Sequence, residues 1–498
     1  MTITNYNGNV DLFLPSEYAD KIAVEITSAK NKVDRQKLGQ FFTPLSTAKK
    51  LIEFSEFSIT SSEIKICEPA CGLCILSCSL IEYLCTLNNI KEIELTCFEI
   101  DSSITEYTKE ILTKLVEYCN KCEVVLSYTL IEEDFILYYK DVFDNNYFAK
   151  TYDLIISNPP FFKLNNYDER VTLAKEILYG LPNIYTIFYY ISTKIINNKG
   201  LLLFLIPRSI CSGSFFKQFR AHFINYIKFD KIHLYSTDEK IFDNHSVLHE
   251  FVFIKSSKVE FNDEYSIEIT HSENIDSITN IRYKHNFSIL KNLIPLATSK
   301  KDLEILQKLK TFSTNLGAFG FEVFYSKLVI SKVEKLLNST PCENCLPVIW
   351  LHNIEQAKFI FPVEHKYPNY IQNTENIKPF LIYNESCIFF RRYNNNDYIT
   401  RIVTTAYKNS LNNYNYLAID RLVGVLLNKS NNLPIETIYG ISAYLNSEFV
   451  NSYFRMINGI INVTGEMILE LPIPDIAVIN KMGLNIKNGY NSEIDKLL

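Results

Sequence analysis

The chain has 498 residues, 50 Lys+Arg against 56 Asp+Glu for a net charge of −6, with 47% hydrophobic and 21% charged residues. At roughly 100–200 residues per domain, two or three domains are expected, and the composition excludes global disorder. Net acidity argues against a general polycation, although local patches still decide whether nucleic acid is bound.

Residues 1–13 carry no basic stretch followed by an apolar one, so no secretory signal is expected. The strongly apolar stretch between Gly200 and Pro207 is far too short to span a bilayer. The expectation is a soluble, cytoplasmic protein with no membrane partner. Short β-rich runs then alternate with helical stretches, the pattern of a doubly wound α/β domain. Strands are predicted at 64–67, 93–98, 123–127, 152–157 and 201–206, with helices at 76–87, 103–118 and 184–196 between them. A terminal strand pair is predicted at 228–235 and 248–255. Past Lys258 the texture shifts to aromatic, Asn-rich and Lys-rich segments with short strand patterns. A catalytic α/β domain over 1–260, with a helical extension at 1–45, and a second, mixed α+β domain over 261–498 are therefore expected. Two basic islands lie in the second half. Residues 281–310 hold seven basic and two acidic groups, and 378–429 hold seven and three. Alone, such runs read equally as solvated helix faces.

The chemistry is expected at Ser157-Asn158-Pro159-Pro160-Phe161, directly after the apolar strand at 152–156. In an open α/β sheet ligands bind at the carboxyl ends of strands. Two consecutive prolines lock φ and remove two donors, so the turn presents carbonyl acceptors, and Asn158 adds another. Rigid paired acceptors beside an aromatic ring suit a planar amino group. Such a nitrogen is a poor nucleophile, and two acceptors on its N–H bonds orient its lone pair towards an electrophile by positioning and electrostatics. Earlier, Glu68-Pro69-Ala70-Cys71-Gly72 closes the first strand with small residues that let the backbone approach a nucleotide. Glu99-Ile100-Asp101 ends the second strand, and Glu133-Asp134-Phe135 places an acid beside an aromatic ring after the third.

With these motifs in this order, and with Lys37-Leu38-Gly39-Gln40-Phe41-Phe42-Thr43-Pro44 ahead of them, the sequence resembles the gamma-class N6-adenine DNA methyltransferases. The resemblance continues through Phe251-Val252-Phe253-Ile254-Lys255, Pro347-Val348-Ile349-Trp350, Phe389-Phe390-Arg391-Arg392-Tyr393 and Leu445-Asn446-Ser447, and is nearest to the BsuBI/PstI type of modification methylase. It implies a class I methyltransferase fold, with a Rossmann-like seven-stranded sheet, followed by a DNA-recognition domain. It also implies S-adenosylmethionine as cofactor, double-stranded DNA as partner, base flipping, and a bacterial monomer that is either the modification component beside a separately acting cognate restriction endonuclease or an orphan methylase. Carried over, Thr43 holds the methionine end of the cofactor with Phe42 and Pro44 beside it. Glu68, Ala70 and Gly72 form the cofactor turn. Glu99 binds the ribose next to Ile100, and Asp134 takes the adenine amino group next to Phe135. Asn158 and the Pro159 carbonyl, stiffened by Pro160, grip the target amine while Phe161 stacks on the base. Phe251 or Phe253 supplies the opposite stacking face or is sheet core. Arg391 and Arg392 contact phosphate. One departure stands out: the family has glycine two residues after Gly72, and here Cys74 would crowd the methionine portion.

Other readings use the same residues. Cys67, Cys71 and Cys74 spell the C-x3-C-x2-C spacing of a cluster site, and Cys119-x-x-Cys122 and Cys342-x-x-Cys345 invite zinc. Cys67 falls in a predicted buried strand, and free Cys is commonly a small core hydrophobe, so no metal is expected. Nor are structural disulfides. A protein glutamine N5-methyltransferase also grips an amide with Asn-Pro-Pro-aromatic, but has no use for a second domain of this texture. A catalytically degenerate cofactor- and DNA-binding protein is the other alternative, motivated by Cys74.

Overall fold

The computed structural model describes residues 14–29, 42–56, 59–144, 151–178, 183–213, 216–223, 226–235, 251–258, 264–274, 277–286, 293–392, 400–429, 433–457, 463–488 and 494–498. The chain forms two compact units, Met1–Thr298 and Ser299–Leu498.

In the first unit α1 (Pro15–Ala29) and α2 (Leu45–Ser55) precede β1 (Glu63–Glu68), α3 (Ile75–Cys85), β2 (Glu92–Phe98), α4 (Thr105–Lys121) and β3 (Val125–Ile131). Then come α5 (Phe135–Tyr138), β4 (Tyr152–Ser157), α6 (Glu169–Leu173), α7 (Ile184–Ile195), β5 (Ile196–Pro207) and α8 (Lys217–Phe223). The unit closes with β6 (Ile227–Leu234), β7 (Phe251–Lys258), β8 (Glu264–Asn274) and β9 (Ser277–Asn286). All the strands join one sheet in the order β3-β2-β1-β4-β5-β7-β6-β8-β9. β3, β2, β1, β4 and β5 run parallel, and β7 enters antiparallel between β5 and β6. The apolar runs in β4 and β5 follow from burial on both faces. Leu154, Ile156, Leu203 and Leu205 pack under α1–α4. Ile155, Leu202, Phe204 and Ile206 face the aromatic core under α5, α7 and α8.

The structure bears out the α/β class and corrects its details. β3 starts at Val125, not 123, because α4 runs on to Lys121 and the chain then turns through Glu123 at φ 58°. The sheet has nine strands among the described residues, not seven. β8 and β9 form an antiparallel hairpin added parallel to β6, held by Ile267 and Ile269, both buried. The expected boundary at 260/261 therefore falls inside one sheet, and the division lies at 298/299.

The second unit contains a four-stranded antiparallel sheet, Phe321–Tyr325, Val423–Asn428, Cys387–Arg391 and Thr404–Tyr407 in that order. A five-stranded sheet includes Cys345–Ile349 and Tyr416–Ile419, so the mixed α+β expectation matches. The helices Ile435–Asn446 and Ile476–Lys487 approach so closely that a Cβ at Gly440 would lie 1.9 Å from the Ile479 carbonyl and one at Gly483 1.8 Å from that of Glu436. Cys342 and Cys345 are bridged by a disulfide, correcting the expectation that none forms. Their Cα atoms lie 5.2 Å apart, within bonding reach. No helix among the described residues is long and apolar enough to cross a membrane.

Buried Asp420 gives this unit a pH signature. Burial raises its carboxyl to about 6, against hydrogen bonds from the Leu422 and Arg421 backbones. Its folded-state pKa lies above the ordinary 3.8, so its stabilising contribution is complete below that value and is lost as pH rises through 6. Asp420→Asn is expected to exceed the wild type in stability at neutral pH by on the order of 2–3 kcal/mol. The gap should shrink towards pH 4. Urea unfolding at several pH values checks this, and parallel stability curves would refute it.

Candidate active site

The strand order reverses between β1 and β4, and the crevice at such a switch point is where open α/β sheets bind ligands. Ile66 lies opposite Leu154 and Cys67 opposite Ile155, so the turns that follow emerge side by side. Buried Ser157, the last residue of β4, donates its hydroxyl to the Pro69 carbonyl at 2.9 Å and ties the two turns together.

The turn after β1 is left-handed at Ala70 (φ 54°), Gly72 (φ 54°) and Cys74 (φ 56°). Glycine is needed at 72 for a second reason: a Cβ there would come within 3.3 Å of the Phe42 ring. α3 begins at once without a side-chain cap from Cys74. Glu68 supplies one from the strand: its Oε2 accepts from the Ser77 N–H at 3.1 Å and from the Ser77 hydroxyl. Burial pushes the Glu68 carboxyl well above the usual carboxylate range.

Glu99, just past β2, holds the same turn from the other side. Its Oε2 accepts from the Gly72 N–H at 2.8 Å and its Oε1 from the Asp101 N–H at 2.7 Å. Burial raises its carboxyl, and these hydrogen bonds oppose the rise. The Thr108 hydroxyl donates to the Gly72 carbonyl at 2.8 Å. Beside this turn lies a hollow of about 290 Å³, partly open to solvent, whose lining includes Phe42, Thr43, Glu68, Ala70, Gly72 and Asn158.

Asn158 Nδ2 donates to Thr43 Oγ1 at 2.9 Å, which orients the amide with Oδ1 at its opposite end. Thr43 precedes α2, whose first N–H, on Leu45, donates to Asp20 Oδ1 at 3.0 Å. Pro44 is the N-cap of that helix. Pro159 is buried, while Pro160 and Phe161 are half-buried. The Phe161 ring lies 6.0 Å from Tyr185 and 5.2 Å from Phe251 between centroids. A base between two rings needs about 3.5 Å on each side, so Phe161 and Phe251 would have to part to admit one.

The structure thus brings Phe42, Thr43, Glu68, Ala70, Gly72 and Asn158 together, with Glu99 directly behind Gly72. It does not bring Phe135 or Phe253 to the hollow. Phe135 is 2% exposed and packs among Phe98, Tyr139 and Phe188. Phe253 is 1% exposed among Phe54, His233 and Tyr235. Both are core, because their rings complete aromatic clusters beneath the sheet's faces. Ile100 stands 67% exposed at the end of β2. Cys74 is absent from the lining and its Sγ lies 3.8 Å from Cys97 Sγ.

Arg170 escaped the sequence argument. Asp134 caps α5 by accepting from the Ile136 and Leu137 N–H groups at 2.8 and 3.2 Å. Its Oδ2 accepts from Arg170 Nη1 at 3.1 Å, while Asp168 grips Arg170 Nε and Nη2 at 2.9 and 2.7 Å. This fork links the acid after β3 to the segment after Phe161. The available signal was Asp168-x-Arg170 opening a helix soon after the double-proline turn. In the second unit, Arg391 Nε donates to the Ile354 carbonyl at 2.7 Å. Arg392 Nη1 donates to the Arg421 carbonyl at 2.7 Å, and its guanidinium lies 4.4 Å over the Tyr325 ring.

A family model described as Eco57I restriction-modification methylase matches residues 20–242. Type II methyltransferase M.BsuBI from Bacillus subtilis is 26% identical over 479 residues, covering 93% of this chain and 94% of that one. Type II methyltransferase M.PstI from Providencia stuartii is 24% identical over 463 residues, covering 91% and 90%. Among solved structures, the type IIG restriction endonuclease BpuSI aligns at a TM-score of 0.44 and 13% identity, covering 95% of this chain and 62% of that one.

Proposed function

We propose, from the premise of homology to these Type II methyltransferases, that the chain is a site-specific adenine DNA methyltransferase. It transfers the methyl group of S-adenosylmethionine to the N6 amino group of adenine in a particular duplex sequence. It serves as the modification component of a type II restriction–modification system, or as an orphan methylase, in the bacterial cytoplasm. The observation that carries this is the double-proline turn at the switch point, with the Asn158 amide oriented by Thr43 on the wall of the hollow.

The hollow fits the cofactor by its chemistry. Glu68 on the lining and Glu99 behind Gly72 supply carboxyl groups suited to a ligand with hydroxyl and amino groups, and Gly72 lets the backbone come close. Phe42, Thr43 and Ala70 would flank the methionine end, Glu99 would accept from the ribose beside Ile100, and Asp134 would accept from the adenine amine. Bound there, the cofactor supplies an electrophilic methyl carbon on its sulfonium. Asn158 Oδ1 and the Pro159 carbonyl accept the two N–H bonds of the target amine and direct its lone pair. Pro160 holds the turn stiff and Phe161 stacks on the base. Adenine inside a duplex is out of reach, so it is flipped out at a cost of a few kcal/mol. Phe251, beside Phe161, is the candidate for the second face.

The second unit is assigned to target recognition. Lys and Arg from 378–429, together with those of 281–310, a stretch that begins in β9 of the first unit and crosses the 298/299 division, contact phosphates, while other side chains read base edges. A guanidinium has five N–H donors, so the inward bonds of Arg391 and Arg392 leave others for phosphate. Arg391→Ala and Arg392→Ala are each expected to lower the salt slope of DNA binding by about one. An unchanged slope would assign them to the fold alone. Cys74, the motive for the degenerate alternative, is absent from the lining of the hollow.

The deciding experiment exposes a random-sequence plasmid to the protein and cofactor, then reads modified bases by single-molecule sequencing. Methyl groups on adenine N6 at one sequence context are expected. Label on cytosine, or on a polypeptide with adenines untouched, would overturn the assignment.

A further inference from the structure

Methyl transfer uses no thiol, yet three buried cysteines converge behind the cofactor turn. The sulfurs of Cys71, Cys74 and Cys97 all lie within 4.8 Å of one another. Cys71 and Cys74 come from the turn after β1, closed by a Cys74 N–H to Cys71 carbonyl hydrogen bond at 2.8 Å. Cys97 arrives from β2. Cys67, which the linear spacing groups with the first two, packs in the core on the other face of the sheet.

The sulfur spacing has a chemical meaning. Two thiolates on a tetrahedral zinc ion, each at about 2.3 Å, sit about 3.8 Å apart, and Cys74 Sγ and Cys97 Sγ are 3.8 Å apart. A cubane iron–sulfur cluster needs a far wider ring of sulfurs. Cys74 also occupies a left-handed backbone position at φ 56°, where glycine would sit without strain. The side chain at that strained position is fully buried and places its sulfur against Cys97.

We propose that Cys71, Cys74 and Cys97 form a three-thiolate site for a thiophilic divalent cation, zinc being the cytosolic candidate. Its fourth position is left to water or a small ligand entering from the hollow that Cys71 borders. The proposal stands apart from the methyl-transfer assignment. Zinc binding displaces the three thiol protons to solvent. The ion would brace the Gly72 turn between its two cysteines.

The test is elemental analysis of the full chain, purified from zinc-supplemented cells under reducing conditions. About one zinc per chain is expected. Cys97→Ser should lose it. Cys74→Gly should lose it as well, and because glycine suits the left-handed backbone, that variant should keep the wild-type circular dichroism and melt like the zinc-stripped wild type. Cys85→Ser and Cys345→Ser should retain it, which separates the trio from the other cysteines. Cobalt-loaded wild type should show sulfur-to-metal charge-transfer absorption that Cys74→Gly lacks. A folded Cys74→Gly protein with undiminished zinc would overturn the proposal. So would a reduced wild type that takes up none on dialysis against excess zinc, or whose Cys74 and Cys97 are recovered as a disulfide.

Discussion

Replacing Asn158 by alanine is expected to lower the turnover number for adenine methylation by about 100- to 1000-fold, the usual effect of deleting one preorganised hydrogen-bonding group from a reacting centre. The amine's lone pair is delocalised into the purine ring, and its redirection requires acceptors on both N–H bonds at once. The Pro159 carbonyl alone can satisfy one. Because Phe161 stacking and the second unit's contacts are untouched, the affinity for DNA should stay close to wild type. The loss should therefore fall on kcat and not on KM. Cofactor affinity should change little, since the cofactor turn keeps Gly72, Glu99 and Glu68.

Asn158→Asp separates acceptor chemistry from shape. The carboxylate keeps an oxygen for the amine, and the Thr43 hydroxyl can turn round to donate to it in place of the 2.9 Å bond it now accepts. Its activity should lie between wild type and alanine. Initial rates with labelled cofactor, paired with anisotropy measurements of DNA binding, decide the matter. Wild-type turnover in the alanine variant would remove Asn158 from the chemistry, and loss of folding would show in the circular dichroism.

What the sequence made legible, and what it did not, follows from the range of the forces involved. The turn at 158–161 was readable because an apolar strand followed by two prolines is a local pattern with a local consequence. Glu68, Gly72 and Glu99 were readable because strand ends carry the chemistry in this architecture. Arg170 was not, since its partner Asp134 lies 36 positions earlier and only the fold sets them 3.1 Å apart. Cys97 joined the cysteine trio for the same reason, while Cys67, four residues from Cys71, points to the opposite face. Phe135 follows Asp134 directly, and its position in the chain gives no sign of whether its ring faces the hollow or the core. β8 was available in the alternation Ile267-Glu268-Ile269, but a count of seven strands already satisfied the expected fold. An added hairpin needs only a free edge, which β6 provided.

Glu99→Ala should produce the largest loss of cofactor binding. The carboxylate does two jobs with two oxygens: it is the proposed acceptor for ribose hydroxyls, and it accepts the Gly72 and Asp101 N–H groups. Deleting it strands two backbone donors in a site only 7% exposed, at about 1–3 kcal/mol for each unsatisfied group. The turn at Gly72, already left-handed at three positions, then hangs on β2 by the Cys71 N–H to Phe98 carbonyl bond without the Glu99 contacts. A drop in cofactor affinity of about 100-fold or more is expected, with a lower melting temperature. Glu99→Gln is the sharper variant. It keeps the shape and one acceptor oxygen, but its amide nitrogen faces a backbone N–H that needs an acceptor. Burial raises the Glu99 carboxyl above the ordinary 4.5, so wild-type cofactor binding should weaken as pH falls through that raised value, because the protonated acid loses acceptor strength towards both the backbone and the ribose. The glutamine variant should bind weakly at every pH, without that slope. Equilibrium dialysis with labelled S-adenosylmethionine across the acidic range measures both quantities. A glutamine variant that binds as tightly as the wild type, with the same pH profile, would mean that Glu99 touches neither ribose nor turn in solution.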